Sequence, residues 1–268
     1  MIEFQNKEYG NEEINNILNP VVKRWFYSKF KEFSLPQKYG VIEIHKRNNI
    51  LISAPTGGTK TLTAFLSIMN ELINYSESGN LENKVYCVYV SPLKALNMDI
   101  QRNLVEPLKE IEEISGKKLG INVAVRTGDT SPSEKANMLK KVPHILITTP
   151  ESLAIILTSR KFKEFLRDVR WVIIDEVHAL ADNKRGVYLS LSLERLELLT
   201  NNNFTRIGLS ATISPLDEVA KFLVGTNRSC KIADVQFIKK MDLKVLSPVP
   251  DLVNVTHIDL HDNLYNLM

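Results

Sequence analysis

Residues Asn48 to Thr61 constrain this chain more than any other stretch. They read Asn-Asn-Ile-Leu-Ile-Ser-Ala-Pro-Thr-Gly-Gly-Thr-Lys-Thr. Ile50, Leu51 and Ile52 form a short apolar run suited to a strand buried on both faces. Ala54 to Gly58 supply the Pro, Thr and Gly of a tight loop. Beyond Lys60 and Thr61, Leu62, Phe65, Leu66, Met69, Leu72 and Ile73 recur at helical spacing. Strand, glycine-containing loop and helix in that order form a cradle for phosphates. Backbone N–H groups and the helix N-terminus surround the anion, Lys60 reaches the β/γ oxygens, and the Thr61 hydroxyl ligates Mg²⁺. The usual pattern has glycine immediately before the lysine, where this chain has Thr59. Two readings follow: either Gly57 and Gly58 move the flexible position one residue earlier, or Thr59 strains the loop and weakens nucleotide binding.

From residue 48 onward the same unit recurs. Apolar runs at Val85–Val90, Ile121–Val125, Ile145–Ile147, Trp171–Ile174 and Ile207–Leu209 are each followed by a polar cluster, then in most cases by a helical pattern. The helix opening at Ser91–Leu96 is expected to reach about Ile114. This alternation predicts an α/β fold, a mostly parallel sheet with helices on both faces. Every polar cluster then falls at the carboxyl end of a strand, on the edge where open α/β sheets bind ligands. Upstream, Ile14, Ile17, Leu18, Val21, Val22, Trp25 and Phe26 recur at helical spacing, with Pro20 at a break or helix start. Lys231–Val235, Leu243–Leu246 and Val253–Ile258 read as short strands, either an edge extension of the sheet or the lead into a further domain. The expected organisation is a helical flank over 1–47, a nucleotide-binding domain over 48–229, and a linker over 230–268.

The 268 residues carry a net charge of +3 from interspersed charges, which permits a nucleic-acid face without arguing for one. No apolar run is long enough to span a membrane, and no secretory signal core is visible at the N-terminus, so a cytoplasmic protein is expected. Cys87 lies in an apolar run and reads as a buried free thiol rather than one half of a bridge with Cys230. Arg160, Lys161, Lys163, Arg167 and Arg170 surround Phe162, Phe165 and Leu166 in a short amphipathic segment, a solvated basic face or a phosphate rail. Trp171 opens a buried strand and reads as core.

Asp175 and Glu176 leave the sheet directly after four apolar residues. One carboxylate at such a strand end can hold Mg²⁺ while its neighbour orients and deprotonates a water. With the following Val177 and His178, the chain resembles the first RecA-like domain of a superfamily 2 DNA or RNA helicase with a DEVH box. Ala54–Thr61 match its motif I, Ser91–Leu96 motif Ia, Thr149–Glu151 motif Ib, Asp175–His178 motif II and Ser210–Thr212 motif III. Thr127–Asp129 match the segment between Ia and Ib, and Phe33–Gln37 resemble the Q-motif region. The wording of motifs Ia, Ib and II is most similar to the large helicase-related, or Lhr-like, branch. The resemblance covers residues 14–250 and implies a RecA-like P-loop NTPase fold.

The resemblance implies the following roles. Gln37 reads adenine, although an amide there could equally be a plain surface group. Ala54, Thr56, Gly57, Gly58, Thr59, Lys60 and Thr61 bind ATP. Thr61 and Asp175 hold Mg²⁺, and Glu176 activates water, with Lys60 and Asp175 as its catalytic partners. His178, Ser210 and Thr212 link the nucleotide to strand movement, and Pro92, Lys94, Gly128, Thr149 and Pro150 contact single-stranded DNA or RNA. Such helicases close a second RecA-like domain on the first, and only 56 residues follow Thr212. The chain therefore reads as the first half of an ATP-dependent helicase. A nucleotide- or nucleic-acid-binding module that never hydrolyses ATP is the alternative, and a phosphate-loop NTPase unconnected with nucleic acid leaves motifs Ia, Ib and III unexplained.

Overall fold

The computed structural model describes residues 1–55, 59–92 and 100–235. Eight strands form one sheet: β1 (Ile2–Phe4), β2 (Ile50–Ser53), β3 (Cys87–Val90), β4 (Val123–Arg126), β5 (Ile145–Thr148), β6 (Trp171–Ile174), β7 (Thr205–Ser210) and β8 (Cys230–Asp234). Their order is β1-β8-β2-β7-β6-β3-β5-β4, and every ladder is parallel. The fold is the α/β, RecA-like arrangement expected. All carboxyl ends therefore meet one edge of the sheet.

Alternation within each strand divides the core. Ile50, Ile52, Tyr89, Ile147, Ile173 and Leu209 face one side, where they meet α2 (Pro20–Lys29), α3 (Leu35–His45), α4 (Lys60–Glu77) and α5 (Glu106–Ser115). Leu51, Val88, Leu146, Val172 and Ile174 face the other, against α7 (Pro150–Thr158), α9 (Lys184–Leu199) and α10 (Leu216–Val224). Short helices α1 (Asn11–Asn15), α6 (Pro132–Lys140) and α8 (His178–Ala181) complete the set among the described residues. Burial on both faces explains why these strands read as unbroken apolar runs.

Local signals set several boundaries. Pro20 is the first residue of α2, capped by the Asn19 side chain, which accepts from Val21 N–H at 2.8 Å. Ser34 caps α3, where Gln37 Oε1 accepts the Ser34 N–H at 2.9 Å. A π-helical turn, Gln101–Val105, leads into α5, whose Pro107 cannot donate into the preceding turn. Ser91 and Pro92, the expected opening of a helix, are not helical; residues 93–99 and the strands expected at Leu243–Leu246 and Val253–Ile258 lie outside the described residues.

The strand expected at Lys231–Val235 is β8, and it is paired on both sides within the sheet rather than lying at its edge. It lies between β1 and β2, so the sheet runs past residue 229 and takes in residues 2–4 from the N-terminal flank. Glu43, fully buried in α3, accepts from Gln5, Tyr9, Asn48 and Lys231 and so joins the flank to β8. Cys87 and Cys230 are buried free thiols, and burial pushes both upward, Cys230 to about 12. Trp171 is core, with the Arg47 guanidinium 4.0 Å from its ring centre. In the basic segment before it, Arg167 pairs with Glu164 and Arg170 pairs with Glu71.

Candidate nucleotide and nucleic-acid site

The strand order places β7 between β2 and β6. The glycine-containing loop after β2 and the acidic turn after β6 thus flank the end of β7 on the carboxyl edge. Ala54 N–H donates to the Ser210 carbonyl at 3.2 Å, and Val177 N–H donates to the Leu209 carbonyl at 3.0 Å. The end of β7, Leu209 and Ser210, is therefore tied to both neighbouring segments through its backbone.

Thr56, Gly57 and Gly58 lie outside the described residues. Thr59 is described, and its φ of −77° excludes the glycine-like conformation on which the strained-loop reading depends. Its hydroxyl is hydrogen-bonded to Ser34 at the start of α3, and its carbonyl accepts from Thr63 Oγ1 at 2.7 Å. Lys60 opens α4, and its buried Nζ donates to the carbonyls of Ala54 (2.6 Å) and Pro55 (2.9 Å). Burial draws this ammonium below its ordinary value, opposed by the charges of Glu176 and Asp175. The two carboxylates thus act electrostatically on the loop lysine. Thr61 occupies the first turn of the same helix, half-buried.

Asp175 is 7% exposed, and its Oδ2 accepts the Tyr89 hydroxyl at 2.5 Å. Its other oxygen accepts the Glu176 N–H at 3.0 Å. Glu176 adopts a φ of +48°, a left-handed conformation that costs a non-glycine residue about 1 kcal/mol or more. That reversal ends β6 sharply, so two adjacent carboxylates leave the strand in different directions. His178 Nε2 lies 3.2 Å from Glu176 Oε2, and its Nδ1 accepts the Ala211 N–H at 3.2 Å. Acceptance at Nδ1 fixes the imidazole proton on Nε2, facing Glu176. Ser210 Oγ lies 3.2 Å from the same Nδ1. Thr212 is exposed just beyond, with no side-chain link to this group.

Gln37 is buried beside the loop. Its Oε1 is used by Ser34 N–H, and its Nε2 has no partner among the described residues. An amide in this state offers its N–H donors to a ligand, and it is not the plain surface group that the sequence left open.

The other half of the edge carries the ends of β3, β5 and β4. Pro92 is buried after β3, and Gly128 is exposed in the turn after β4. Thr149 caps α7, its Oγ1 accepting from Ser152 N–H at 3.3 Å, and Pro150 is the first residue of that helix. Lys94 lies outside the described residues. The site divides into a half built on β2, β7 and β6 and a half built on β3, β5 and β4, meeting where β6 pairs with β3.

A sequence profile of the DEAD/DEAH box helicases matches residues 35–221, which span all of these segments except β8. The chain belongs to the DEAD/DEAH box helicase family. In an alignment of 272 positions that takes in all of this chain, it is 56% identical to the ATP-dependent helicase Lhr-Core of Methanocaldococcus jannaschii, 32% of which it covers. It is 57% identical over 275 residues to Lhr-Core protein 2 of Thermococcus barophilus, aligning 99% of this chain with 32% of that one. The solved structure of Mycobacterium smegmatis helicase Lhr bound to ssDNA and AMP-PNP matches 95% of this chain and 33% of that one, at 40% identity and a TM-score of 0.77. The chain thus spans about a third of the length of these helicases.

Three groups in this helicase domain escaped the sequence reading. Tyr89, which holds Asp175, carried one signal: a tyrosine inside a fully buried strand needs a partner for its hydroxyl. Ser34 lies three residues before Gln37, the spacing of a capping box, but nothing in the sequence pointed to Thr59 as its partner. Arg185, which joins Pro92 and Glu151, had no sequence signal beyond its charge.

Proposed function

We propose that this chain is the ATP-binding first domain of an Lhr-like helicase that couples ATP hydrolysis to movement on single-stranded DNA or RNA. The observation that carries the reading is the His178 ring, whose one nitrogen faces Glu176 while the other accepts from Ala211. A carboxylate that activates water is thereby joined to the segment after β7, so a change at the nucleotide has a path out of the site.

The described residues fit Mg·ATP. The free Nε2 of Gln37 suits an acceptor nitrogen of adenine. Lys60 would exchange the Ala54 and Pro55 carbonyls for phosphate oxygens, gaining charge-assisted bonds. Asp175, oriented by Tyr89, and Thr61 would hold Mg²⁺, which when bound neutralises phosphate charge. Glu176 then orients and deprotonates the attacking water, and His178 Nε2–H fixes the rotamer in which it does so. Pro92, Lys94, Gly128, Thr149 and Pro150 would track the nucleic-acid backbone. A second RecA-like domain of the same parent, reached through residues 236–268, would complete both tracks. Among the described residues no helix is long and apolar enough to cross a membrane, and a cytoplasmic location fits this reading.

The test has two parts. The chain should bind a fluorescent ATP analogue and, separately, a labelled single strand with affinity that falls as salt rises. It should not unwind a duplex alone, whereas the longer helicase should hydrolyse ATP faster with single strand present. Hydrolysis by the longer protein that ignores nucleic acid would overturn the reading, and unwinding by these residues alone would remove the need for a second domain.

A further inference from the structure

Arg185 lies on the carboxyl edge, one residue inside α9, and no step of the nucleotide chemistry uses it. Its Nε donates to Glu151 Oε1 at 2.6 Å and its Nη2 to Glu151 Oε2 at 3.2 Å, a two-pronged pairing of guanidinium with carboxylate. The same Nη2 also donates to the Pro92 carbonyl at 3.1 Å. Glu151 stands in the first turn of α7, after Thr149 and Pro150, and Pro92 follows β3. One side chain therefore spans two of the segments assigned to the nucleic-acid track. The pairing lowers the Glu151 carboxyl and raises the Arg185 guanidinium relative to their ordinary values.

Arg185 is itself held from behind. Asn183 Oδ1 accepts the N–H groups of Arg185 (2.9 Å) and Gly186 (3.2 Å). A Cβ on Gly186 would lie 1.9 Å from the Leu180 carbonyl oxygen, so the backbone of α9 touches α8, the helix that begins at His178. The base of the guanidinium is thus fixed against the acidic turn that follows β6, while its tip reaches the ends of β3 and β5.

We propose that Arg185 is a positioning residue that holds the Pro92 and Thr149–Glu151 segments at one fixed spacing, so that a single strand meets them as one surface. The inference rests on the nucleic-acid track assigned above. It differs from a direct phosphate contact, in which Arg185 would lend its charge to the strand and Glu151 would oppose binding.

Double-mutant analysis of single-strand binding separates these cases. Labelled oligo-dT is titrated with the 268-residue chain and with its Arg185→Ala, Glu151→Gln and doubly substituted forms at several salt concentrations, with ATP-analogue affinity as the check on folding. Arg185→Ala and Glu151→Gln should each weaken single-strand binding on the order of 5-fold, and the double variant should be no weaker than either. The dependence of affinity on salt should stay the same. Arg185→Lys should not restore binding, because an ammonium cannot make the fork. A salt slope reduced by about one in Arg185→Ala, with binding unharmed or tightened in Glu151→Gln, would overturn the clasp in favour of a phosphate contact. Binding at wild-type strength in both single variants would overturn the clasp alone. Failure of the unsubstituted chain to bind the oligonucleotide would overturn the track and the clasp together.

Discussion

The hydroxyls of Ser34 and Thr59 are hydrogen-bonded to each other, which joins the cap of α3 to the loop residue before Lys60. Thr59 has an ordinary negative φ, so the threonine in place of a glycine is relaxed and has acquired a polar partner. Through the capping box, Ser34 also fixes the amide of Gln37. Adenine and phosphate ends of the proposed nucleotide site are therefore braced against each other.

Thr59→Gly should lower the affinity of this domain for an ATP analogue by about 2- to 5-fold, because the brace is lost and the loop gains conformational freedom. Thr59→Ser, which keeps the hydroxyl, should stay close to the parent. Tighter binding by the glycine variant in fluorescence titration would contradict a relaxed loop.

Lys60→Ala should weaken nucleotide binding about 10- to 100-fold, since a charge-assisted phosphate contact is removed. Glu176→Gln should leave binding nearly unchanged and abolish turnover in the longer helicase. The glutamine's amide oxygen can take the place of Glu176 Oε2 as acceptor for His178 Nε2–H, so only the basicity is lost. Equal losses of affinity in the two variants would show that the roles are wrongly divided.

Glu43→Gln tests the buried junction between α3, the N-terminal flank and β8. Burial raises the Glu43 carboxyl, but hydrogen bonds from Tyr9, Asn48 and Lys231 outweigh it and hold the group below its ordinary value. A carboxylate depressed in the folded state contributes stability above its unfolded value, and that contribution is lost as pH falls through the folded value. The variant should be less stable by about 1.5–3 kcal/mol near neutrality. In urea unfolding the difference should shrink below about pH 4. A difference that holds constant down to about pH 3 would mean that the charge is immaterial.

Gly186→Ala should cost about 2 kcal/mol or more, because its Cβ collides with a backbone oxygen that cannot move without shifting α8. Gly208→Ala is the comparison. There the Cβ meets side-chain ends rather than backbone, Leu223 Cδ2 at 2.8 Å and Leu51 Cδ1 at 3.0 Å. Thermal melting should rank Gly186→Ala as the more damaging, and the reverse order would refute the close approach.

What the sequence yielded followed from local pattern. Ile50–Ile52 and Trp171–Ile174 read as buried strands because burial on both faces leaves no polar position. The polar residues after them were placed on one edge because parallel strands end together. What it withheld was pairing. Ile2–Phe4 is too short to show a period, and the insertion of β8 between β1 and β2 joins residues 228 and 181 positions apart. Tyr89 with Asp175, Ser34 with Thr59 and Arg185 with Glu151 are all contacts of the same kind, made by side chains whose neighbours in sequence say nothing of their neighbours in space. The π-helical turn before Pro107 marks where the expected uniform helix departs from ideal periodicity.

Because β8 runs parallel to β2 and beside it, the chain leaves the sheet at the phosphate end. Val235 N–H donates to the Ser53 carbonyl at 2.8 Å, the last rung before the paths part. Whatever is attached downstream is leashed next to the residue that precedes Ala54. A pull on the chain beyond Val235 would therefore act first on Ser53, so the outgoing strand and the entry to the loop share one peg.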